Sequence, residues 1–216
     1  LRIGTLDSRP GAPVDPECRA AVNSTALLLE QLGHFVSDDH PEIDGEASRS
    51  FGARWVVNAR VRLNWLGRLL GREVNADDVE PLTWAMASVG ASVAGADYAA
   101  AVASGSVLAR KFGLWWEDHD LLVTPTLGEL PPLIGELEPP PDDPFATQER
   151  TGRLVPFTTH FNVTGQPAIS LPLHVSASGL PVGVQIVAAY GREDLLIQVA
   201  AQLEEAAPWQ DRRPPI

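Results

Sequence analysis

The sequence predicts an α/β fold: a mixed central sheet of about five strands with helices on both faces. Three observations carry this reading. Strand-like apolar runs are interspersed with helix-length amphipathic segments instead of being segregated from them. The first group reads strand, helix, strand, the unit from which such sheets are built. Finally, DLLVTPT (120–126) is so uniformly apolar that it reads as a strand buried on both faces.

RIGTL (2–6) is a short buried strand, followed by a Ser8-Arg9-Pro10-Gly11 loop. Asp15 then stands as N-cap, Pro16 at the first helical position and Glu17 near the positive helix end, and Gly33 marks the stop. HFVS (34–37) is the second strand. From Ala47 to Leu70 a helix places Phe51, Trp55, Ala59, Arg62 and Leu66 along one side, and Gly71 ends it. Asp77 and Asp78 open a shorter helix through Trp84 and Met86. A longer helix over 97–119 carries Tyr98, Val102, Gly105, Ala109, Phe112 and Trp116 at spacings of three and four, a stripe that reads as core.

After the 120–126 strand, the Pro-rich and acidic stretch 127–150 predicts an extended surface loop, of a kind that often serves as a lid or binding loop. A short helix over 155–163 leads to a Gly165-Gln166-Pro167 corner. Strands AISLPLHV (168–175) and PVGVQIVAA (181–189) follow, joined by a Ser176-Ala177-Ser178-Gly179 turn. A last helix, Glu193 to Ala207, aligns Leu196, Val199 and Leu203. No internal repeat interrupts the chain, so 1–216 reads as one domain portion with a Pro-rich excursion.

With 216 residues, 44% hydrophobic and 20% charged, the chain can bury a sizeable core. Its formal charge of −12 argues against a nucleic-acid binder, which needs a basic face to neutralise phosphates. No apolar run approaches the roughly 18 residues of a membrane span, so no membrane partner is expected. Cys18 stands alone, which removes an internal disulfide framework and favours a packed thiol and a cytoplasmic location. Lys111 is the only lysine beside fifteen arginines, which makes lysine-dependent chemistry easy to trace.

Local chemistry is sparse. No G-x-S-x-G elbow occurs. Ser170 and His174 face the same way in a regular strand, but four residues separate them by about 13 Å, too far for a nucleophile and its base. The clusters SDDH (37–40) and EDHD (117–120) gather carboxylates around histidines at element ends, where they are ordinarily solvated or capping, and no metal is expected. Without a Walker loop or G-x-G-x-x-G, no nucleotide cofactor is expected either.

From Asp120 onward, the segments DLLVTPT, PFTTHFNVTGQPAISLPL, GLPVGVQIV and GREDLLIQVAAQLEEAAPWQDRRP occur in order, and together they resemble the C-terminal half of the amidase signature family. The first 119 residues fit it in outline, through RIG and LLLEQLGH. The resemblance implies the C-terminal part of that family's fold and the hydrolysis of carboxylic amides, linear ones being expected, to acid plus ammonia or amine. It also implies a serine nucleophile relayed through a second serine in a cis peptide to a lysine base, with main-chain amides holding the oxyanion.

The Gly-Gly-Ser-Ser-Gly-Gly-Ser-type segment that carries this chemistry in the family does not occur between Leu1 and Ile216, and Lys111 lies late in a helix. The catalytic residues are therefore expected outside this sequence, with a missing N-terminal half as partner and the fragment alone inactive. The absence of an initiator Met at Leu1 fits a fragment. An exposed apolar surface, and association as a homodimer, are expected to follow. The substrate-pocket candidates are Trp55, Trp65, Thr126 and Phe157, as aromatics on variable helices or residues near a strand's carboxyl end, core packing being the ordinary role of each. Asn162 joins them, with a hydrogen bond to nearby backbone its first expectation. A glutamine-using amidotransferase subunit is one member type that the resemblance brings in, but the acidic charge weighs against a tRNA-facing role. The rival reading is a non-catalytic binding or assembly subunit that keeps the fold.

Overall fold

The computed structural model describes residues 1–9, 11–43, 45–140 and 142–212, with the backbone alone at 46–49. Its sheet contains β1 (Arg2–Thr5), β2 (Phe35–Ser37), β3 (Leu121–Pro125), β4 (Ala168–Val175) and β5 (Pro181–Ala188) in the order β2-β1-β3-β5-β4. β1 pairs in parallel with β2 and β3, whereas β3 with β5 and β5 with β4 are antiparallel. The helices are α1 (Pro16–Gln31), α2 (Glu46–Leu70), α3 (Pro81–Ser92), α4 (Gly95–Trp115), α5 (Gln148–Leu154), α6 (Thr159–Thr164) and α7 (Glu193–Ala206). The architecture is the mixed, five-stranded α/β arrangement that the sequence predicts.

The first unit forms as its end signals dictate. The Asp15 carboxylate accepts the Glu17 N–H at 2.8 Å, satisfying one of the unpaired donors of α1, and Pro16 needs no donor there. Cys18, Ala21, Val22, Thr25 and Leu29 make the buried stripe. At Gly33, φ is +87°, a backbone turn open to glycine, and the reversed chain returns so that the Phe35 N–H donates to the Leu1 carbonyl at 2.8 Å.

Alternation along the strands divides the core into two. Leu121, Val123, Val184, Ile186, Ala188 and Leu171 face α1 and α7, where Leu196, Val199 and Leu203 close the layer. Leu122 and Val187 face the other way, onto Leu108 and Phe112 of α4 and onto Phe157 and Phe161. All five residues of β3 are buried, because each of its faces is covered by helices.

Outside α4 lie α2 and α3. A Cβ added at Gly90 would fall on the Val56 carbonyl, so α3 and α2 touch backbone to backbone there. Gly71, at φ +66°, ends α2 as expected.

Several boundaries differ from the sequence reading. Asp77 and Asp78 sit in a 3-10 turn, Ala76–Asp78, where Asn75 and Asp78 form a reciprocal capping box, and the helix itself begins four residues later with Pro81 at its first position. The surface loop after β3 ends at Thr147, since Gln148–Leu154 is helical, and the helix expected over 155–163 is confined to Thr159–Thr164. Along α2 the expected stripe is split: Trp55 and Arg62 are exposed, while Ser50 and Leu63 are buried. The loop reading at Pro10 and the end of the last family-like segment, 213–214, lie outside the described residues, and residue 141 of the surface loop does so too.

Because the Val56 carbonyl cannot retreat without distorting α2, Gly90→Ala is expected to destabilise the protein by about 1–3 kcal/mol, read as a lowered urea midpoint at unchanged slope.

Candidate functional site

Towards the carboxyl end of β3, the sheet face that packs on α4 changes from apolar to polar. One pleat beyond Leu122 and Val187, the residues Thr124, Gln185 and Ser170 lie in one cross-strand row. Gln185 Nε2 donates to Thr124 Oγ1 at 2.9 Å, and that hydroxyl donates to the Pro125 carbonyl at 2.9 Å, so this buried pair is satisfied within the sheet. Thr126 follows on the same face, with its N–H on the Gly183 carbonyl at 3.1 Å.

The hydroxyls of Thr126 and Ser170 meet 2.6 Å apart, above Gly183. A Cβ at position 183 would lie 2.8 Å from Ser170 Oγ and 2.9 Å from Thr126 Oγ1. Glycine is required here by close approach. Beside the pair opens a cleft of about 210 Å³, walled by Cys18, Leu127, Leu130 and Val182, with Glu129, ion-paired to Arg150 at 2.8 Å, also in its lining, and reaching the two hydroxyls. Burial, then the Asp15 charge, pushes the Cys18 thiol up to about 11, so it lines the cleft as an unreactive group. The arrangement offers two neutral hydroxyls, each able to donate or accept, at the rim of a largely apolar slot whose one carboxylate, Glu129, is paired with Arg150.

Ser170 and His174 do not share a face. The register slips between Leu171 and His174, across Pro172, which has no N–H to give to the ladder. The extra residue reverses the alternation, so Ser170 looks towards Thr126 while His174 turns to α1, where its Nε2 lies 3.0 Å from Glu17 Oε2. Glu17 Oε1 also accepts the Ala177 N–H at 2.9 Å, fastening α1 to the turn after β4.

Of the five pocket candidates, the structure brings Thr126 alone into this cleft. Phe157 is only 1% exposed and belongs to the core beneath α4. Trp55 stacks obliquely on Phe51, with centroids 5.6 Å apart, and Trp65, ten residues on, is roughly 15 Å further along α2 and exposed. Asn162 is exposed on α6, and its side chain makes no hydrogen bond among the described residues, contrary to the expected backbone contact. That role falls to Thr164, whose hydroxyl donates to the His160 carbonyl at 2.8 Å and also contacts Gln166 Oε1. The two acid-histidine clusters prove to be one tertiary contact: His119 stacks on Trp115 at 3.9 Å and sets Nε2 3.2 Å from Asp39 Oδ2. Gly183, missed as a site residue, had a legible signal, a glycine inside an otherwise β-rich strand.

A mixed sheet with layered helices and a hydroxyl-lined cleft at the strand ends define an α/β scaffold with one candidate binding site. The Amidase family model matches residues 1–197, and the chain belongs to that family. It is 44% identical over 226 residues to the 6-aminohexanoate-cyclic-dimer hydrolase of Pseudomonas sp. (strain NK87), covering 99% of this chain and 45% of that protein. It is 43% identical over 224 residues to the enzyme of the same name from Paenarthrobacter ureafaciens, with the same coverage. A solved structure of 6-aminohexanoate cyclic dimer hydrolase complexed with substrate superposes with a TM-score of 0.91 at 42% identity, covering 99% of this chain and 46% of that one. A bacterial aryl acylamidase of the amidase signature enzymes shares the fold, with a TM-score of 0.73 at 20% identity, covering 96% of this chain and 44% of that one. The chain thus spans slightly less than half the length of these relatives.

Two outcomes follow from the contacts. Gly183→Ala is expected to cost about 1–3 kcal/mol in a urea melt, and adding Ser170→Ala is expected to recover part of it, because the nearer clash disappears. The Ala177 N–H and then His174 hold the Glu17 carboxyl below its ordinary 4.5. Its contribution is therefore present above about pH 4.5 and lost as pH falls through the depressed folded value. In parallel melts, Glu17→Gln is expected to lower the midpoint near neutrality and to converge with the parent chain in acid.

Proposed function

We propose that this chain is the substrate-pocket-bearing portion of a serine-dependent amidase. Its nucleophilic serine, cis-peptide serine and lysine base would lie in the part of the protein that its relatives carry beyond this span. The observation that carries the reading is the family match over residues 1–197, together with 44% identity to a hydrolase whose name specifies an amide substrate. The Thr126–Ser170 hydroxyl pair supports it: placed at the carboxyl end of β3, it suits a wall that hydrogen-bonds a neutral amide while Leu127, Leu130 and Val182 cover an aliphatic chain. Ser170 is assigned to that wall and not to the nucleophile, since its partner is another hydroxyl and His174 points away.

The resemblance alone suggests linear amides. Similarity to hydrolases of the 6-aminohexanoate cyclic dimer adds cyclic amides built from aliphatic amino acids, and an apolar slot with few polar groups suits both. A cytoplasmic location fits the single free, buried cysteine. No single helix among the described residues is long and apolar enough to cross a membrane.

Fluorophosphonate labelling of the native protein, with the adduct mapped by mass spectrometry, tests the assignment. An adduct on a serine outside these 216 residues is the expected result. An adduct on Ser170 would replace it with a self-contained hydrolase, and a native protein that takes no label would point to a non-catalytic subunit. Ser170→Ala in the full-length enzyme is expected to keep the label and to lower kcat/KM by no more than about tenfold, the worth of one neutral hydrogen bond.

A further inference from the structure

Along α2, Arg60, Asn64 and Arg68 recur every fourth residue, and Arg72 follows just past the helix end. Residues at that spacing share one helix face. They border an open cleft of about 570 Å³ between the last turns of α2, the returning segment 71–74 and Trp84 of α3. The returning chain hugs the helix because position 67 is glycine: a Cβ there would lie 3.0 Å from the Arg72 carbonyl.

The charges around this cavity are unevenly used. Arg72 is committed, with Nη1 and Nη2 each 2.7 Å from a different oxygen of Asp78. Arg60 and Arg68 have no carboxylate partner among the described residues, although the chain holds 28 acidic residues against 16 basic ones. Glu73 is the sole uncommitted carboxylate in the lining and is exposed. In so acidic a protein, two guanidinium groups facing one cavity, with Glu73 the only carboxylate in its lining, leave a local excess of positive charge among the described residues. The wall between them is apolar: Leu63 is 7% exposed, and Val74 and Trp84 are half-buried.

We infer that this cavity binds a small carboxylate with an aliphatic body. Arg60 is the main anchor, because it is half-buried and its charge is less screened by water than that of exposed Arg68. Asn64 donates to the same anion, and Leu63, Val74 and Trp84 cover the chain behind it. Binding here does not depend on amide hydrolysis, and the cavity is lined by none of the residues around Thr126 and Ser170.

Calorimetric titration of the protein with sodium hexanoate at low ionic strength tests this. One saturable site is expected, weakened about tenfold or more by Arg60→Met and about threefold by Arg68→Met. Arg62→Met, whose side chain lies outside the cavity lining, is expected to leave the affinity unchanged, with circular dichroism confirming that each variant is folded. Hexylamine is expected not to bind. The inference fails if hexanoate gives no saturable heat, if inorganic phosphate binds as tightly as hexanoate, so that the aliphatic body is not read, or if Arg60→Met binds with parental affinity.

Discussion

Five consecutive residues of β3 have water on neither face, so their backbone groups depend on β1 along one edge and β5 along the other. That requirement organises the rest. Parallel pairing with β1 demands a long crossover, which the chain supplies through α2, α3 and α4, while antiparallel pairing with β5 lets β4 and β5 close as a hairpin. Because both faces of β3 must also be covered, α1 and α7 take one side and α4 with the Phe157–Phe161 segment takes the other.

The candidate site grows out of the same strand. Where the apolar rows end, Thr124 turns its hydroxyl inward to Gln185, and Thr126, two residues on, turns its own to Ser170. The bulge at Pro172 then separates two tasks that a regular strand would have put on one face. Ser170 stays with the cleft, and His174 goes to Glu17, which secures α1 against the hairpin turn. A stable hairpin and an open hydroxyl pair thus coexist within five residues of β4.

Much of the fold was legible. The Asp15-Pro16 start and Gly33 stop of α1, the uniformly apolar β3 and the alternating β4 and β5 are local signals that tertiary packing had no reason to override. Boundaries failed where two local signals competed: Asp77 and Asp78 suit a helix start, but Asn75 closes them into a 3-10 turn and Pro81 supplies the better first helical position. The site was less legible. Aromatic character alone cannot tell Phe157, sealed in the core, from Trp55 and Trp65, exposed on α2, because each is compatible with an apolar helix or loop position.

By itself the sequence determined the sheet's membership, the helix ends governed by capping residues and glycine, and the family, since these depend on residues adjacent in the chain. Only the tertiary structure decided that Thr126 and Ser170, 44 positions apart, share a hydrogen bond over Gly183, and that Arg60 and Arg68 face one cavity with Trp84. Such pairings depend on strand register, a single bulge and the angle at which two helices meet, none of which is encoded in any one segment.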